Sequence, residues 1–124
     1  MKNMIKVLVI EPEKKPAVRE IEDSLESLQS IVGGYIECIY PFEDEVGIIC
    51  NEEGKLNGLP LNRALRDKRG NVYDVISGTF IVAGLTEDDF GSLSDDLLRK
   101  YAARFFVPEV FMKIDGKLAV LPLV

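Results

Sequence analysis

The run Val7-Leu8-Val9-Ile10 places four apolar side chains in succession, three of them β-branched. A strand alternates its side chains between two faces, so this run has no face left for water. It predicts a first strand over residues 4–12, central in a sheet or covered on both sides. Pro12 and Pro16 end that strand and open a turn. A chain of 124 residues supplies the single core such a covered sheet needs. Its hydrophobic fraction of 47% and charged fraction of 29% are those of an ordinary soluble globular protein.

Val18, Ile21, Leu25, Leu28 and Val32 step by three and four, which predicts a helix over 17–32. Glu20, Glu22, Asp23 and Glu26 would form its solvated face, Pro16 its first turn and Gly33-Gly34 its end. Residues 35–42 and 46–51 read as two strands of an antiparallel hairpin joined by Glu43-Asp44-Glu45. Ile36, Cys38 and Tyr40 share one face of the first strand; Tyr35, Glu37 and Ile39 share the other. Residues 72–76 and 78–85 read either as two strands around a tight Ser77-Gly78 turn or as one strand bulged at Gly78. Thr86 with Asp89 caps a short turn, and Ser92 with Asp95 has the spacing of a capping box. They precede a second helix over 93–106, whose apolar stripe is Leu97, Leu98, Tyr101 and Phe105. Asp115-Gly116 between two apolar runs predicts a terminal β-hairpin.

Strands interrupted by only two long helices predict an α+β fold. The expected architecture is a mixed, mainly antiparallel sheet of about five or six strands, two main helices and a C-terminal hairpin. Residues 1–106 form the domain, and residues 107–124 are a hairpin appended to it, or an arm toward a partner chain.

The chain has no histidine. That removes Ser-His-Asp and Cys-His catalysis, histidine metal sites and the ordinary general base near neutral pH. Two cysteines, Cys38 and Cys50, are too few for a disulfide scaffold or a four-cysteine metal site. They read as buried reduced thiols, with a cross-strand disulfide as the alternative. No cofactor is expected. The formal charge of −6 disfavours direct binding to nucleic acid, which requires phosphate neutralisation. No apolar run is long enough for a membrane helix, and the first residues lack a signal-peptide cleavage site, so a cytoplasmic protein is expected.

The segment NEEGKLNGLPLNRALRDKRGN, residues 51–71, stands apart. Glu53-Gly54, Asn57-Gly58 and Arg69-Gly70 are turn signals, and Pro60 is placed to open a short helix. Read so, the segment is a structured crossover. Lys55, Arg63, Arg66, Lys68 and Arg69 nevertheless put 5 of the 15 basic residues within 15 positions of an acidic chain. Turn-borne N–H groups with an arginine fork suit an anion. The candidate ligand contacts are Glu37, Asn57, Asn62, Arg63 and Arg66, with no catalytic and no metal-binding residue assigned. No dinucleotide fingerprint, P-loop or nucleophile elbow accompanies them.

The ordered motifs KVLVIEPEKKP, LESLQSIVGGYIECIYPF, NEEGKLNGLPLNRALRD and VYDVISGTFIVAG resemble a family of small proteins known only as a domain of unknown function, over roughly residues 4–106. Members of that family come mainly from gut Firmicutes, their phages and mobile elements. The resemblance implies an accessory protein of such an element and supplies no catalytic residues.

Three functions follow as expectations. The first is a non-enzymatic binding domain for a small anionic ligand such as a nucleotide. The second is an acidic protein-interaction module acting on a host protein, with the terminal hairpin supplying apolar contact. The last is an enzyme dependent on carboxylate chemistry, with Glu37 near Tyr35 as its nominee. Edge strands and the hairpin also point to a homodimer.

Overall fold

The computed structural model describes residues 3–123. The order of elements is β1 (Met4–Ile10), β2 (Ala17–Glu22), α1 (Leu25–Val32), β3 (Ile36–Ile39), β4 (Val46–Asn51), β5 (Leu61–Arg66), β6 (Val72–Ser77), β7 (Phe80–Leu85), β8 (Phe90–Gly91), α2 (Asp95–Arg104), β9 (Glu109–Ile114) and β10 (Lys117–Pro122). The fold is α+β. The main sheet runs β2-β1-β7-β4-β3, with β8 added on β7, and every pairing in it is antiparallel. Two further ribbons, β5–β6 and β9–β10, lie outside it.

The strand β1, with its continuous apolar run, lies between β2 and β7 and is covered on both faces. Leu8 and Ile10 pack with Ile48, Phe80 and Val82 beneath Leu98, Tyr101 and Phe105 from α2 and Leu65 and Ile76 from the β5–β6 ribbon. Val7 and Val9 pack on the other face with Ile49 and Ile81 beneath Leu28 and Val32 of α1. The sheet is thus sandwiched between α1 on one side and α2 with the β5–β6 ribbon on the other. The α2 stripe Leu98, Tyr101 and Phe105 is buried, and Phe105 meets Phe80 edge-on with ring centroids 5.4 Å apart.

Four local expectations are corrected. Residues 17–22 extend the sheet as β2, pairing Ile5 with Ile21 and Leu8 with Val18, so the expected helix over 17–32 begins only at Leu25. The three-residue spacing of Val18 and Ile21 is that of a helix face; in β2 they point to opposite faces, Ile21 buried and Val18 exposed. The outer edge of β1 takes this segment as a strand, and Ser24 then caps the helix through its hydroxyl, which accepts from the Ser27 N–H at 3.1 Å. Pro60 opens the strand β5 rather than a short helix. Residues 72–77 and 80–85 are neither a hairpin nor one bulged strand, because β6 pairs β5 while β7 lies at the centre of the main sheet. Gly78, at φ +80°, makes that change of direction. The cap of α2 is Ser94, which accepts from the Leu97 N–H; the Ser92 hydroxyl accepts from Lys6 N–H instead.

Cys38 and Cys50 are both free thiols. They project from opposite faces of the β3–β4 pair, Cys38 against the α1-side core and Cys50 into the α2-side core, and so do not meet. Asp115 and Gly116, both at positive φ, make the tight turn of the β9–β10 hairpin. Among the described residues no helix is long and apolar enough to cross a membrane.

Candidate functional site

The 51–71 segment resolves into a run of turns, the strand β5 and a second turn. In that second turn the Asp67 carboxylate accepts from the N–H groups of Arg69 and Asn71. In β5, Asn62 and Arg63 point inward and are buried. The Asn62 side-chain amide donates to the carbonyls of Ile10 and Gly78, both at 2.8 Å, tying β5 to the end of β1 and to the Gly78 turn. The Arg63 guanidinium donates to the carbonyls of Phe105, Asn62 and Lys14 and to the Asn62 side-chain oxygen. Burial pulls Arg63 below its ordinary pKa, and the nearby Glu109 carboxylate acts in the opposite direction. A guanidinium saturated by main-chain carbonyls behaves as a bolt between elements.

The five expected contacts do not converge. Glu37 lies on β3 opposite Cys50 and lines a cleft of ≈130 Å³ shared with Lys55, Asp74 and Ser77. The negative groups around that cleft add to burial in raising the Cys50 thiol to about 11. Asn57 is exposed among the turns that precede β5. Arg66 lies on the opposite side of the ribbon from the core, where it donates to Glu109 at 2.7 Å; the second Glu109 oxygen accepts from Ala64 N–H. The local positive charge is similarly dispersed. Lys55 pairs with Asp74 and Lys68 with Glu43, while Arg63 is internal.

Two clefts lie between the β5–β6 ribbon and the terminal hairpin. One, of ≈510 Å³, is bordered by Arg66, Lys68, Arg104, Phe105, Glu109 and Val120. Arg104 reaches it from the last turn of α2, where its guanidinium stacks 4.6 Å from the Phe42 ring centroid. The other, of ≈680 Å³, is bordered by Leu61, Val72, Tyr73, Val75, Leu118 and Val120 together with the charged Lys55, Arg66 and Asp74.

The hairpin that walls both clefts is apolar on both faces. Residues directly opposite in an antiparallel pair share a face. Val110 with Leu121 and Met112 with Ala119 therefore lie on one face, and Phe111 with Val120 and Lys113 with Leu118 on the other. Met112, Ile114, Leu118 and Leu121 are each 42–53% exposed, and no hairpin residue belongs to either buried core cluster. The unbroken apolar run that follows Lys117 is the sequence signal for this, since it leaves neither face of β10 polar.

The chain matches the model described as Domain of unknown function (DUF3846) over residues 5–106. It belongs to the DUF3846 family. No curated protein matches it. No solved structure matches it. The matched span of the DUF3846 domain takes in both core clusters, the Arg63 bolt and α2, and stops before the terminal hairpin.

Proposed function

We propose that the protein is a non-enzymatic protein-interaction module whose contact surface is the β9–β10 hairpin with the adjoining wall of β6. The observation that carries this reading is the hairpin's exposure of Met112, Ile114, Leu118 and Leu121 on two apolar faces. An exposed, contiguous apolar surface on a soluble domain marks a place where another macromolecule binds. The hairpin is also charge-balanced, Lys113 and Lys117 offsetting Glu109 and Asp115, within a chain of formal charge −6. A cytoplasmic accessory role in a phage, plasmid or other mobile element is part of this proposal and rests on the motif resemblance.

The test is photo-crosslinking in cells with a reactive residue at Met112 or Leu121, against a control at the exposed Glu26 of α1. Discrete protein adducts from the hairpin positions alone support the reading. Adducts equal in kind and yield at all three positions, or none at any, overturn it.

A second reading has its own observation. The ≈510 Å³ cleft brings Arg66, Lys68 and Arg104 beside two carboxylates, Asp67 and Glu109, an excess of one positive charge in an acidic chain that suits a small anion such as a nucleotide. Of the residues first nominated, Arg66 has a place in it. Saturable nucleoside-triphosphate binding by calorimetry, weakened by Arg104→Ala, tests it; heats no larger than dilution dismiss it.

A further inference from the structure

Among the described residues β10 pairs with β9 alone, so its other edge is open. The two-residue turn fixes which groups face that edge. In such a hairpin Ile114 and Lys117 form the closing hydrogen-bonded pair, and bonded pairs then alternate outward. The Leu123 N–H donates to the Pro108 carbonyl at 2.8 Å, in phase with that alternation. Lys117, Ala119 and Leu121 therefore bond to β9, while Leu118 and Val120 direct their N–H and C=O groups away from it. Their side chains lie on the face that borders the ≈680 Å³ cleft, on the apolar part of its lining with Val72 and Tyr73. The strand with the open edge is thus also a wall of the cleft.

Taking the hairpin as the interaction surface, as proposed above, we infer that its partner is a second copy of this chain, added antiparallel along β10. A twofold axis through Ala119 sets Leu118 opposite Val120 of the other copy and Val120 opposite its Leu118. Both pairs are then of the hydrogen-bonded kind, so each copy uses the outward N–H and C=O groups of its Leu118 and Val120. The ribbons join into the four-stranded order β9-β10-β10-β9. Because residues opposite one another share a face, the incoming Leu118 and Val120 lie on the cleft side of β10, next to Val72 and Tyr73. This is strand addition to a free edge, with main-chain bonds giving attachment and alternate side chains giving fit.

Charge selects the same occupant. The segment Leu118–Leu121 carries none, and Lys117 falls opposite Leu121 of the other copy, away from the other Lys117. A basic partner would be drawn to the acidic body of the domain instead of this neutral edge. An isologous pairing needs a self-complementary strand, which the alternation of Leu118 and Val120 about Ala119 provides.

The test compares wild type with Val120→Pro by sedimentation equilibrium over micromolar to millimolar protein. The Val120 N–H faces away from β9, so proline there removes no bond of the hairpin. It removes one donor per copy from the joint and places a ring in it. Wild type is expected to rise from the 13.9 kDa monomer toward twice that mass. Val120→Pro should weaken association at least about thirtyfold with an unchanged circular-dichroism spectrum. Leu118→Lys, which sets a charge on the edge, is the second variant and should act in the same direction. Wild type monomeric throughout overturns the inference, as does a dimer that both variants leave intact. Hairpin crosslinks to a different protein, with a monomeric wild type, would sink the self-pairing while leaving the interaction surface in place.

Discussion

The Nε and Nη2 atoms of Arg63 both donate to the main-chain carbonyl of Phe105, at 3.1 and 3.0 Å, binding β5 to the end of α2 across 42 positions of sequence. Phe105 is the residue that ends the helix, so its carbonyl is one of the acceptors a helix terminus leaves without an internal partner. Arg63 satisfies it, and with Asn62 also reaches the ends of β1 and the Gly78 turn. Arg63→Ala would leave several buried carbonyls without donors and open a void the length of the side chain. The expected loss is about 3 kcal/mol or more, read as a lower urea midpoint at unchanged m-value. A variant as stable as wild type would mean that these bonds hold nothing together. Arg63→Lys restores the charge but not the fork and should recover only part of the loss.

Acid stability has an identifiable contributor in Asp44. Its carboxylate accepts from Lys100 and from the Tyr101 hydroxyl, and these bonds, that to Lys100 first, hold its pKa below the usual 3.8. For a group depressed in the folded state, the stability it adds is complete above the unfolded value and goes as pH falls through the folded one. The difference in unfolding free energy between wild type and Asp44→Asn should therefore be constant from neutral pH to about 5 and shrink below about pH 4. A difference that persists undiminished below pH 2 would assign the effect to packing.

Cys50 should be chemically quiet. Burial, followed by the nearby Glu37 carboxylate, raises its thiol from 9.0 to about 11. At pH 8 the thiolate fraction then falls about 100-fold relative to the unfolded chain. In a Cys38→Ser background, iodoacetamide should label Cys50 at least that much more slowly in native protein than in urea. The same shift has a stability consequence of definite sign. A thiol raised on folding adds stability below its unfolded value of 9.0, and that contribution is lost as pH climbs toward 11. Labelling at equal rates in the two states would contradict the buried placement.

How far the sequence disclosed this molecule depended on whether a residue's neighbours in space were also its neighbours in the chain. The doubly covered β1, the β3–β4 pair, the α2 stripe and the Asp115-Gly116 hairpin were all legible, because short-range periodicity and turn chemistry decide them. The strand β2 was not. Val18 and Ile21 have the spacing of a helix face, but the edge of β1 takes the segment as a strand in which they point to opposite faces and only Ile21 is buried. The strand β5 was missed for a related reason: Pro60 suits a helix start, and nothing nearby in sequence reveals that β6 is waiting. Asn62 and Arg63 were noticed as unusual, but their partners are main-chain carbonyls from positions 10, 14, 78 and 105, which no side-chain pattern encodes. The apolar run of β10 was visible; that it lies beside Val72 and Tyr73 was not.

Two glycines separate what holds the domain from what holds the hairpin. Gly84 lies in β7 opposite Gly91 of β8, and a Cβ there would stand 2.5 Å from the main-chain oxygen of Ser92. Neither backbone can withdraw without disturbing the central strand, so Gly84→Ala should cost about 1–3 kcal/mol and lower the midpoint of the whole domain. Gly116 has open space around it, and its cost is conformational: an L-residue at φ +78° is strained by about 1–2 kcal/mol. Because no side chain of β9 or β10 belongs to the buried core clusters, Gly116→Ala should leave the domain's unfolding midpoint within experimental error of wild type. Its effect should appear in hydrogen exchange, as faster loss of the amides of Met112, Ile114, Ala119 and Leu121, which bridge the hairpin. A fall in the global midpoint as large as that of Gly84→Ala would mean that the hairpin and the domain unfold as one unit, and that the hairpin is part of the fold's stability as well as the proposed contact surface.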